Sequence, residues 1–299
     1  MSCKKLVECH IRRREWLRFL FGEVHHVTDK STTIKGLVET LVTKRDLVRQ
    51  LASREFASRF RGSMLGSAWA IVTPLLLAAI YAFVFNTVFK MRWTAGEGQS
   101  NLDFTVYLLL GLAVHGIFVE CLSRAPQLIV SNPSYVKKVV FPIEVLPFVL
   151  LGSALTTAGI SIGVAILLNW LVSGSLHQSI VFIPLILIPY GLFISAFVMI
   201  MAACGVYLRD LAQVVNVIIT VSLFLTPVFY PVSAMPPAVR NLMWINPLTF
   251  AVEQIRSAAV EGLVPNLLGL LLYMAASLVT LSVSYWLFQR LRKGFADVL

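Results

Sequence analysis

Aromatic side chains recur in two apolar stretches of the sequence and are the residue type best suited to contact a sugar. The seven candidates are Trp69, Tyr81, Phe85, Phe89, Phe224, Phe229 and Tyr230. Those between 81 and 89 follow one another at intervals of four, which places them on one face of a helix. Aromatic rings stack on the apolar faces of sugars, and tyrosine hydroxyls bond sugar hydroxyls. Such a stripe is also typical of ordinary helix packing or of an interfacial aromatic belt, and both interpretations stay open.

Residues that carry catalysis or bind metals are sparse and scattered. The sequence contains no GxxxxGKS/T phosphate loop and no HExxH motif. The four cysteines form no CxxC pair, so neither a metal site nor a redox site is expected. A membrane-embedded glycosyltransferase or acyltransferase would need acids or histidines grouped at one membrane face, and no such group is present. We therefore predict that the chain is not an enzyme and that it holds no cofactor and no metal.

The composition places the chain in a membrane. Of 299 residues 58% are hydrophobic and only 13% are charged, and the mean hydropathy is +0.80. A soluble domain carries about 25% charged residues. The apolar residues form long blocks without charge, and a membrane helix needs about 20 of them. We predict an all-α polytopic membrane protein with six transmembrane helices, at about 63–89, 104–123, 145–172, 179–206, 211–230 and 265–289.

Lysine and arginine are distributed unevenly between the two predicted sides. With the N-terminus in the cytoplasm, 21 of the 25 basic residues fall on the cytoplasmic side, and 14 of them lie in 1–61. Because cytoplasmic loops are enriched in these residues, this arrangement predicts a multi-pass inner (plasma) membrane protein with both termini cytoplasmic. Residues 1–36 form an N-terminal extension and 290–299 a cytoplasmic tail. The basic residues therefore face membrane lipids, and no nucleic acid is expected as a partner.

Two further segments have a membrane-related pattern. Before the first span, apolar positions recur at helical spacing opposite basic ones, which predicts an amphipathic helix lying in the interface. Its residues are Leu37, Leu41, Val48 and Leu51 on one face and Lys44, Arg45, Arg49 and Arg54 on the other. Between the fifth and sixth spans, five prolines interrupt an apolar stretch, which predicts a re-entrant outer segment of short helices. A folded outer loop is the alternative.

The loop between the second and third spans, 124–143, is a candidate contact for a soluble partner. Asn132 or Ser134 is placed to cap a short helix that carries Tyr135, Lys137 and Lys138. A compact helix between two spans can press on a soluble subunit, whereas a basic loop that merely obeys the charge rule is the alternative.

Charged residues near the spans are spaced for ion pairs within one helix. Glu120 precedes Arg124 by four residues, and Glu253 precedes Arg256 by three. No charged residue lies at the centre of a predicted span, which argues against proton-coupled transport. If the chain transports a substrate, we expect another subunit to supply the energy.

Five motifs in order then resemble the membrane subunits of polysaccharide ABC exporters. The match covers about 37–294 and leaves 1–36 outside. The motifs are Arg59–Trp69, Asn132–Pro142 with Glu144–Pro147, Arg209–Gln213, Thr226–Pro231, and Asn246–Thr249 followed by Arg256.

The resemblance implies a type-2 ABC exporter permease of the O-antigen, capsule and teichoic-acid group. It implies that two copies of the chain form a homodimeric channel and that two separate ABC ATPase subunits bind ATP and Mg²⁺. The substrate is then a polyprenyl-diphosphate-linked glycan, O-antigen first, and the aromatic residues above line its route. The ATPase-coupling residues are Arg54, Asn132, Pro133, Tyr135, Lys137, Lys138, Arg209 and Asp210.

Two questions stay open at this point. Arg59 and Arg61, at the cytoplasmic mouth, are candidates to contact the diphosphate, and anchoring of the helix to anionic lipid is the alternative. An ABC permease for drugs or lipids is the alternative function. The aromatic first span and the Asn-Pro…Phe-Pro segment favour glycan export.

Overall fold

The computed structural model describes residues 34–88, 101–137, 141–174 and 176–298, and every regular element in these ranges is a helix. Most of the predicted extension, together with Phe89 and Lys138, lies outside the described residues. The α-helices in these ranges are α1 (Ile34–Thr43), α2 (Arg45–Ser58), α3 (Trp69–Tyr81), α4 (Asn101–Arg124), α5 (Pro133–Lys137), α6 (Leu146–Ser173), α7 (Ile183–Tyr207), α8 (Leu211–Leu225), α9 (Pro237–Met243), α10 (Pro247–Arg256), α11 (Leu267–Arg292) and α12 (Phe295–Val298).

Shorter helical turns extend or connect these helices. The π-helical segment Ala82–Val88 continues α3, and Ser257–Glu261 continues α10. The 3₁₀ turns are Gly66–Ala68, Ala125–Gln127, Ile143–Val145, Gln178–Phe182 and Val232–Ala234.

Among the described residues, five helical segments are long and apolar enough to cross a membrane. They are Gly66–Phe85, Phe104–Gln127, Ile143–Ser173, Gln178–Tyr207 and Leu267–Arg292. These segments coincide with the first four predicted spans and the sixth. The all-α fold is thereby confirmed for the described residues, with five candidate spans.

The fifth predicted span is shorter than the sequence suggested. Helix α8 has 15 residues, and Thr226 at its end is extended, with φ −100° and ψ 137°. The residue before a proline avoids helical angles, so Pro227 ends the helix here. At about 1.5 Å per residue α8 is about 22 Å long, less than the hydrocarbon thickness of about 30 Å. The count of six spans therefore stays a prediction.

Helix α4 lies at the centre of the bundle. In its most apolar 18-residue window 78% of the residues are buried, against 17% for the span that contains α3. Tyr190 of α7 is fully buried and donates its hydroxyl to the Val114 carbonyl of α4 at 2.9 Å. α4 is thus enclosed by its neighbours, whereas α3 leaves most of its surface uncovered.

The predicted amphipathic stretch forms two helices, α1 and α2, with Lys44 between them. Leu37 of α1 is fully buried in a cluster with Leu281 and Phe288 of α11. α2 approaches α6 so closely that a Cβ at Gly152 would lie 2.9 Å from the Ala52 Cβ. Both helices are therefore seated on the bundle, and their position in a membrane interface stays a prediction.

The segment between α8 and α11 consists of short helices, α9 and α10, joined by turns. Asn246 caps α10, because its side-chain oxygen accepts a hydrogen bond from the Leu248 N–H at 3.0 Å. The Asn246 amide also donates to the Leu225 carbonyl at 3.3 Å, which ties α10 to the end of α8. Re-entry of this segment into a membrane stays a prediction.

The close approach of α2 to α6 predicts a position-specific effect of a single methyl group. We expect Gly152→Ala to lower the thermal stability of the detergent-solubilised protein by about 1–2 kcal/mol, because the added Cβ overpacks against Ala52. Gly159→Ala on the same helix is the control, since a Cβ there meets nothing within 4 Å. Equal melting temperatures for the two variants would contradict this seating of α2.

Candidate functional site

Two crossed ion pairs attach α2 to α4. Arg59 Nη1 donates to Glu120 Oε2 at 2.7 Å, and Arg59 Nη2 pairs with the other oxygen of the same carboxylate. Arg124 Nη1 lies 2.7 Å from Glu55 Oε1. The predicted pair of Glu120 with Arg124 inside α4 is wrong, because α2 supplies the opposite charge to each of them. Two helices are thereby joined along one full turn.

Arg59 also connects this pair to a third helix. Its Nη1 donates to the Thr157 hydroxyl of α6 at 3.1 Å. The side chains of Arg59 and Glu120 are only 21% and 13% exposed. Burial lowers the pKa of Arg59, the nearby Arg124 lowers it further, and Glu55 raises it. Arginine stays charged in proteins, so the guanidinium acts here as a fixed cation that holds α2, α4 and α6 together.

A cavity of about 480 Å³ opens beside these ion pairs. It lies between α2, the end of α4, the segment that leads into α5, and the beginning of α6. Four of the predicted site residues line it together with Arg124, and they are Arg54, Arg61, Asn132 and Tyr135. The cavity therefore combines three guanidinium groups with polar side chains on an apolar floor that includes Leu128 and Leu150.

The predicted short helix is present as α5 and begins at Pro133, whereas its coupling role stays a prediction. Asn132 therefore precedes the helix, whereas Ser134 lies inside it and is not its cap. The Asn132 amide donates to the Leu128 carbonyl at 2.9 Å. Tyr135 stacks on Phe141 with ring centroids 4.3 Å apart. The short helix is thus held by one contact with the residues before it and by one contact with the residues after it.

Arg209 and Asp210 lie in the turn between α7 and α8, and both are exposed. They do not line the cavity beside α2. Their turn is nevertheless at the same end of the bundle, since Tyr207 donates to the Leu291 carbonyl near the end of α11 at 2.8 Å. We call this end, which also carries Arg59 and Arg124, the basic end.

Three of the predicted aromatic residues meet at the opposite end of the bundle. Phe85 lies 6.1 Å from Tyr81 and 6.4 Å from Phe229 between ring centroids, and it packs on Phe104 of α4 at 5.2 Å. Tyr230 donates its hydroxyl to the Phe224 carbonyl. Tyr81, Phe85, Phe104 and Phe229 are called the aromatic cluster below.

Trp69 and Phe224 lie apart from this cluster. Their side chains are 37% and 65% exposed, respectively. Helix α8 presents further exposed apolar side chains, which are Val214, Val217, Ile218, Val221 and Leu225. Ser222 Oγ of the same helix lies 3.0 Å from His115 Nε2 of α4. α8 is thus held to α4 on one side and leaves a wide apolar face uncovered on the other.

Arg256 fastens the loop that carries Phe229. Its guanidinium donates to the carbonyls of Tyr107 at 2.9 Å and of Val228 at 2.8 Å, and also to the carbonyl of Pro227. A Cβ at Gly111 would overlap this guanidinium, so α4 needs glycine there. The aromatic cluster is thereby attached to α10 and α4 at one point.

The predicted pairing of Arg256 with Glu253 is confirmed, at 3.1 Å. The Arg256 side chain is 1% exposed. Burial lowers the pKa of Arg256 to about 10, and Glu253 opposes that shift. Arg256 therefore stays charged at neutral pH. The sequence placed Arg256 after a motif but did not indicate that three backbone carbonyls would surround it.

Comparison with known proteins identifies the family. The model of the family described as "ABC-2 type transporter" matches residues 46–260, which is more than half of the chain. The chain belongs to the ABC-2 type transporter family.

Relatives of this ABC-2 transporter match more of the chain than the family model does, and they match over most of their own length. It is 27% identical over 263 residues to the O-antigen export system permease protein RfbA of Myxococcus xanthus, covering 87% of this chain and 98% of that protein. A protein of the same name from Klebsiella pneumoniae is 26% identical over 256 residues, covering 85% and 95% respectively. The predicted resemblance is confirmed at the level of the family, and the chain is a transporter subunit of a multi-pass membrane type.

The ion pair of Arg59 with Glu120 predicts that Arg59 contributes more to the stability of the ABC-2 transporter than the nearby Arg61 does. We expect Arg59→Ala to destabilise the protein by about 2 kcal/mol, because Glu120 is left without its cation in a poorly hydrated place. The measurement is the melting temperature of the purified protein in detergent. Arg61→Ala is the control, since its side chain is exposed, and it should change stability by less than about 0.5 kcal/mol. Equal effects of the two substitutions would contradict the structural role of Arg59.

Proposed function

We propose that the chain is the membrane permease of an ATP-driven exporter that moves polyprenyl-diphosphate-linked polysaccharide across the inner membrane. The O-antigen of lipopolysaccharide is the first candidate for the polymer. The observation that carries this proposal is the match to O-antigen export permeases over 98% and 95% of their own lengths. The substrate named for those relatives is thus transferred from whole proteins rather than from a shared fragment.

The proposed topology has six spans with both termini in the cytoplasm. The basic end of the bundle then faces the cytoplasm, in keeping with the charge distribution of the sequence. Helix α8, together with the turns of 226–231, supplies the remaining crossing. Helices α1 and α2 lie in the cytoplasmic interface, and α9 and α10 form the re-entrant outer segment.

The basic end is the proposed contact for a separate ABC ATPase subunit, on which ATP and Mg²⁺ bind. Its candidate residues lie in the segment around α5, on α2 and in the turn between α7 and α8. Those described by the structure are Arg54, Asn132, Pro133, Tyr135, Arg209 and Asp210. Two copies of the ATPase would serve two copies of the permease.

The route from the ATPase to the substrate follows the contacts of α4. A push on α2 reaches α4 through the crossed pairs of Arg59 with Glu120 and of Glu55 with Arg124. The opposite end of α4 carries Phe104, the member of the aromatic cluster on which Phe85 packs. Movement of α4 therefore displaces the aromatic rings that are proposed to contact the glycan.

The proposed channel lies between two copies of the chain. Helices α3 and α8 expose apolar faces, including Trp69 and Phe224, which a second copy can cover. The glycan passes along the aromatic residues of these two helices and of the segments that follow them, from Trp69 near the basic end to Tyr81, Phe85, Phe229 and Tyr230. Stacking tolerates any register of the sugar repeat, so a long polymer can advance without a single tight site.

The diphosphate is proposed to contact the cavity at the basic end. Arg61 and Arg54 line it and are exposed, so their guanidinium groups can bind phosphate oxygens. Arg59, the other candidate from the sequence, contributes by holding the wall of the cavity through Glu120.

A strain lacking the gene tests the function. We expect polyprenyl-linked polysaccharide to accumulate on the cytoplasmic side and surface polysaccharide to disappear, because the finished polymer has no exit. The two pools are extracted separately and compared with the complemented strain. The composition of the accumulated polymer separates O-antigen from capsule or teichoic acid. Unchanged surface polymer without accumulation would refute glycan export and favour a drug or lipid permease.

The aromatic cluster predicts a loss of export that packing alone does not cause. Phe85→Leu keeps an apolar side chain but removes the aromatic face, and we expect export to fall about fivefold, as for the loss of about 1 kcal/mol of stacking. Phe83→Ala is the control, since Phe83 is 62% exposed on the same π-helical segment. Surface polysaccharide is measured at matched membrane levels of the proteins. Normal export by Phe85→Leu would contradict the role of the cluster.

A further inference from the structure

The end of α11 is fastened to the turn that connects α5 with α6. Arg292 Nη1 donates to Glu144 Oε2 at 2.9 Å across 148 positions of sequence. Glu144 lies in the 3₁₀ turn Ile143–Val145, and its side chain is only 10% exposed, against 34% for Arg292. Because a carboxylate so poorly hydrated needs a cation, this pair fixes the position of the turn relative to α11.

A short side-chain network continues the ion pair along α11. Arg292 Nη1 lies 3.5 Å from Gln289 Oε1, and the Gln289 amide donates to the Tyr285 hydroxyl at 2.7 Å. Gln289 is 8% exposed and Tyr285 is 1% exposed. The guanidinium of Arg292 is therefore held by the last two turns of a long membrane helix.

Beyond α11 the chain turns back and packs against the same region. Phe295 of α12 is fully buried, with its ring centroid 5.8 Å from that of Phe288 and 6.1 Å from that of Tyr207. α12 contacts both α5 and α7. The predicted tail is thus part of the folded bundle over 290–298.

An aromatic residue of α5 packs against the apolar cluster that contains Phe288 and Phe295. Tyr135 and Phe141 stack on each other, and both pack against the cluster that contains Phe288 and Phe295. The described residues 133–137, which form the proposed coupling helix, and 141–144 are therefore held by aromatic packing at Tyr135 and Phe141 and by Arg292 at Glu144. We call 133–137 and 141–144 together the coupling segment.

We propose that Arg292 is a positioning residue for the coupling segment, and that Arg292 and Phe295 belong to the apparatus that transmits ATPase movement. A displacement of α5 reaches α6 directly through the chain, and it reaches α11 through Glu144 and Arg292. Two membrane helices then move together rather than one. This inference rests on the proposed function and assigns the tail a role within it.

Charge reversal tests the inference in the full chain together with its ATPase partner. We expect Arg292→Glu to lower surface polysaccharide about fivefold while the ATPase still co-purifies, because the coupling segment is misplaced but α5 is retained. Export per unit of ATP hydrolysis should fall with it. Lys293→Glu is the matched control, since it makes the same charge change at the exposed neighbouring position and should alter export by less than about twofold.

Two further variants separate positioning from plain stability. The double reversal of Glu144→Arg with Arg292→Glu restores the ion pair in the opposite sense, and we expect it to regain at least about half of the lost export. Arg292→Lys keeps the cation and should retain most of the export. Melting temperatures of all variants are measured in parallel.

The outcomes distinguish this inference from the function on which it rests. If the unaltered chain supports no ATP-dependent export, the proposed function fails and the inference falls with it. If the unaltered chain exports and Arg292→Glu behaves like Lys293→Glu, only the inference is overturned. It is also overturned if Arg292→Glu lowers the melting temperature, ATPase binding and export together and neither the double reversal nor Arg292→Lys retains export.

Discussion

The crossed pairing of Arg59 with Glu120 and of Glu55 with Arg124 sets the position of α2 relative to α4 at the basic end. Taking a carboxylate or a guanidinium out of water costs several kcal/mol, and the cost is offset only when the partner is held in place. The pair of Arg59 with Glu120 is mostly buried, whereas the side chains of Arg124 and Glu55 are 41% and 34% exposed. The buried pair therefore determines how α2 lies against α4, and the exposed pair contributes little stability on its own because water screens it. Together they orient α2, and α2 forms one wall of the cavity that carries Arg54 and Arg61.

Helix α4 connects this arrangement with the aromatic cluster. Its basic end carries Glu120 and Arg124, and its opposite end carries Phe104 and the carbonyl that receives Arg256. Between its two ends α4 is enclosed by α6 and α7, and the Val114 carbonyl of α4 accepts a hydrogen bond from the Tyr190 hydroxyl of α7. A helix packed so tightly moves as a unit, because dense interiors pass on displacements rather than absorbing them. The two proposed contact regions are thus coupled by one element of secondary structure.

The sequence predicted most of the fold and part of the site, and the differences have physical reasons. Charge-free runs locate five spans because hydropathy is a local property that survives folding. Helix α8 is short because Thr226 precedes a proline, a local rule that the run of apolar residues concealed. The partners of Glu120 and Arg124 were mispredicted because helical spacing shows which pairs are compatible, not which competing partner lies closer in the fold. Glu144 and Arg292 carry no sequence signal for each other at all, since 148 positions separate them.

The attachment of Arg292 and Phe295 to the coupling segment also sets an order of assembly during synthesis. The coupling segment leaves the ribosome early, whereas Arg292 follows only as the last residue of α11 and Phe295 comes after it. Until then Glu144 has no Arg292 beside it, and the apolar cluster under Tyr135 lacks Phe295. A nascent chain interrupted before 290 holds most of α11 but lacks Arg292 and Phe295, so its proposed contact surface for the ATPase is unfinished. Completion of this proposed surface thus coincides with completion of the bundle, so an ATPase that binds there would distinguish finished chains from partly made ones.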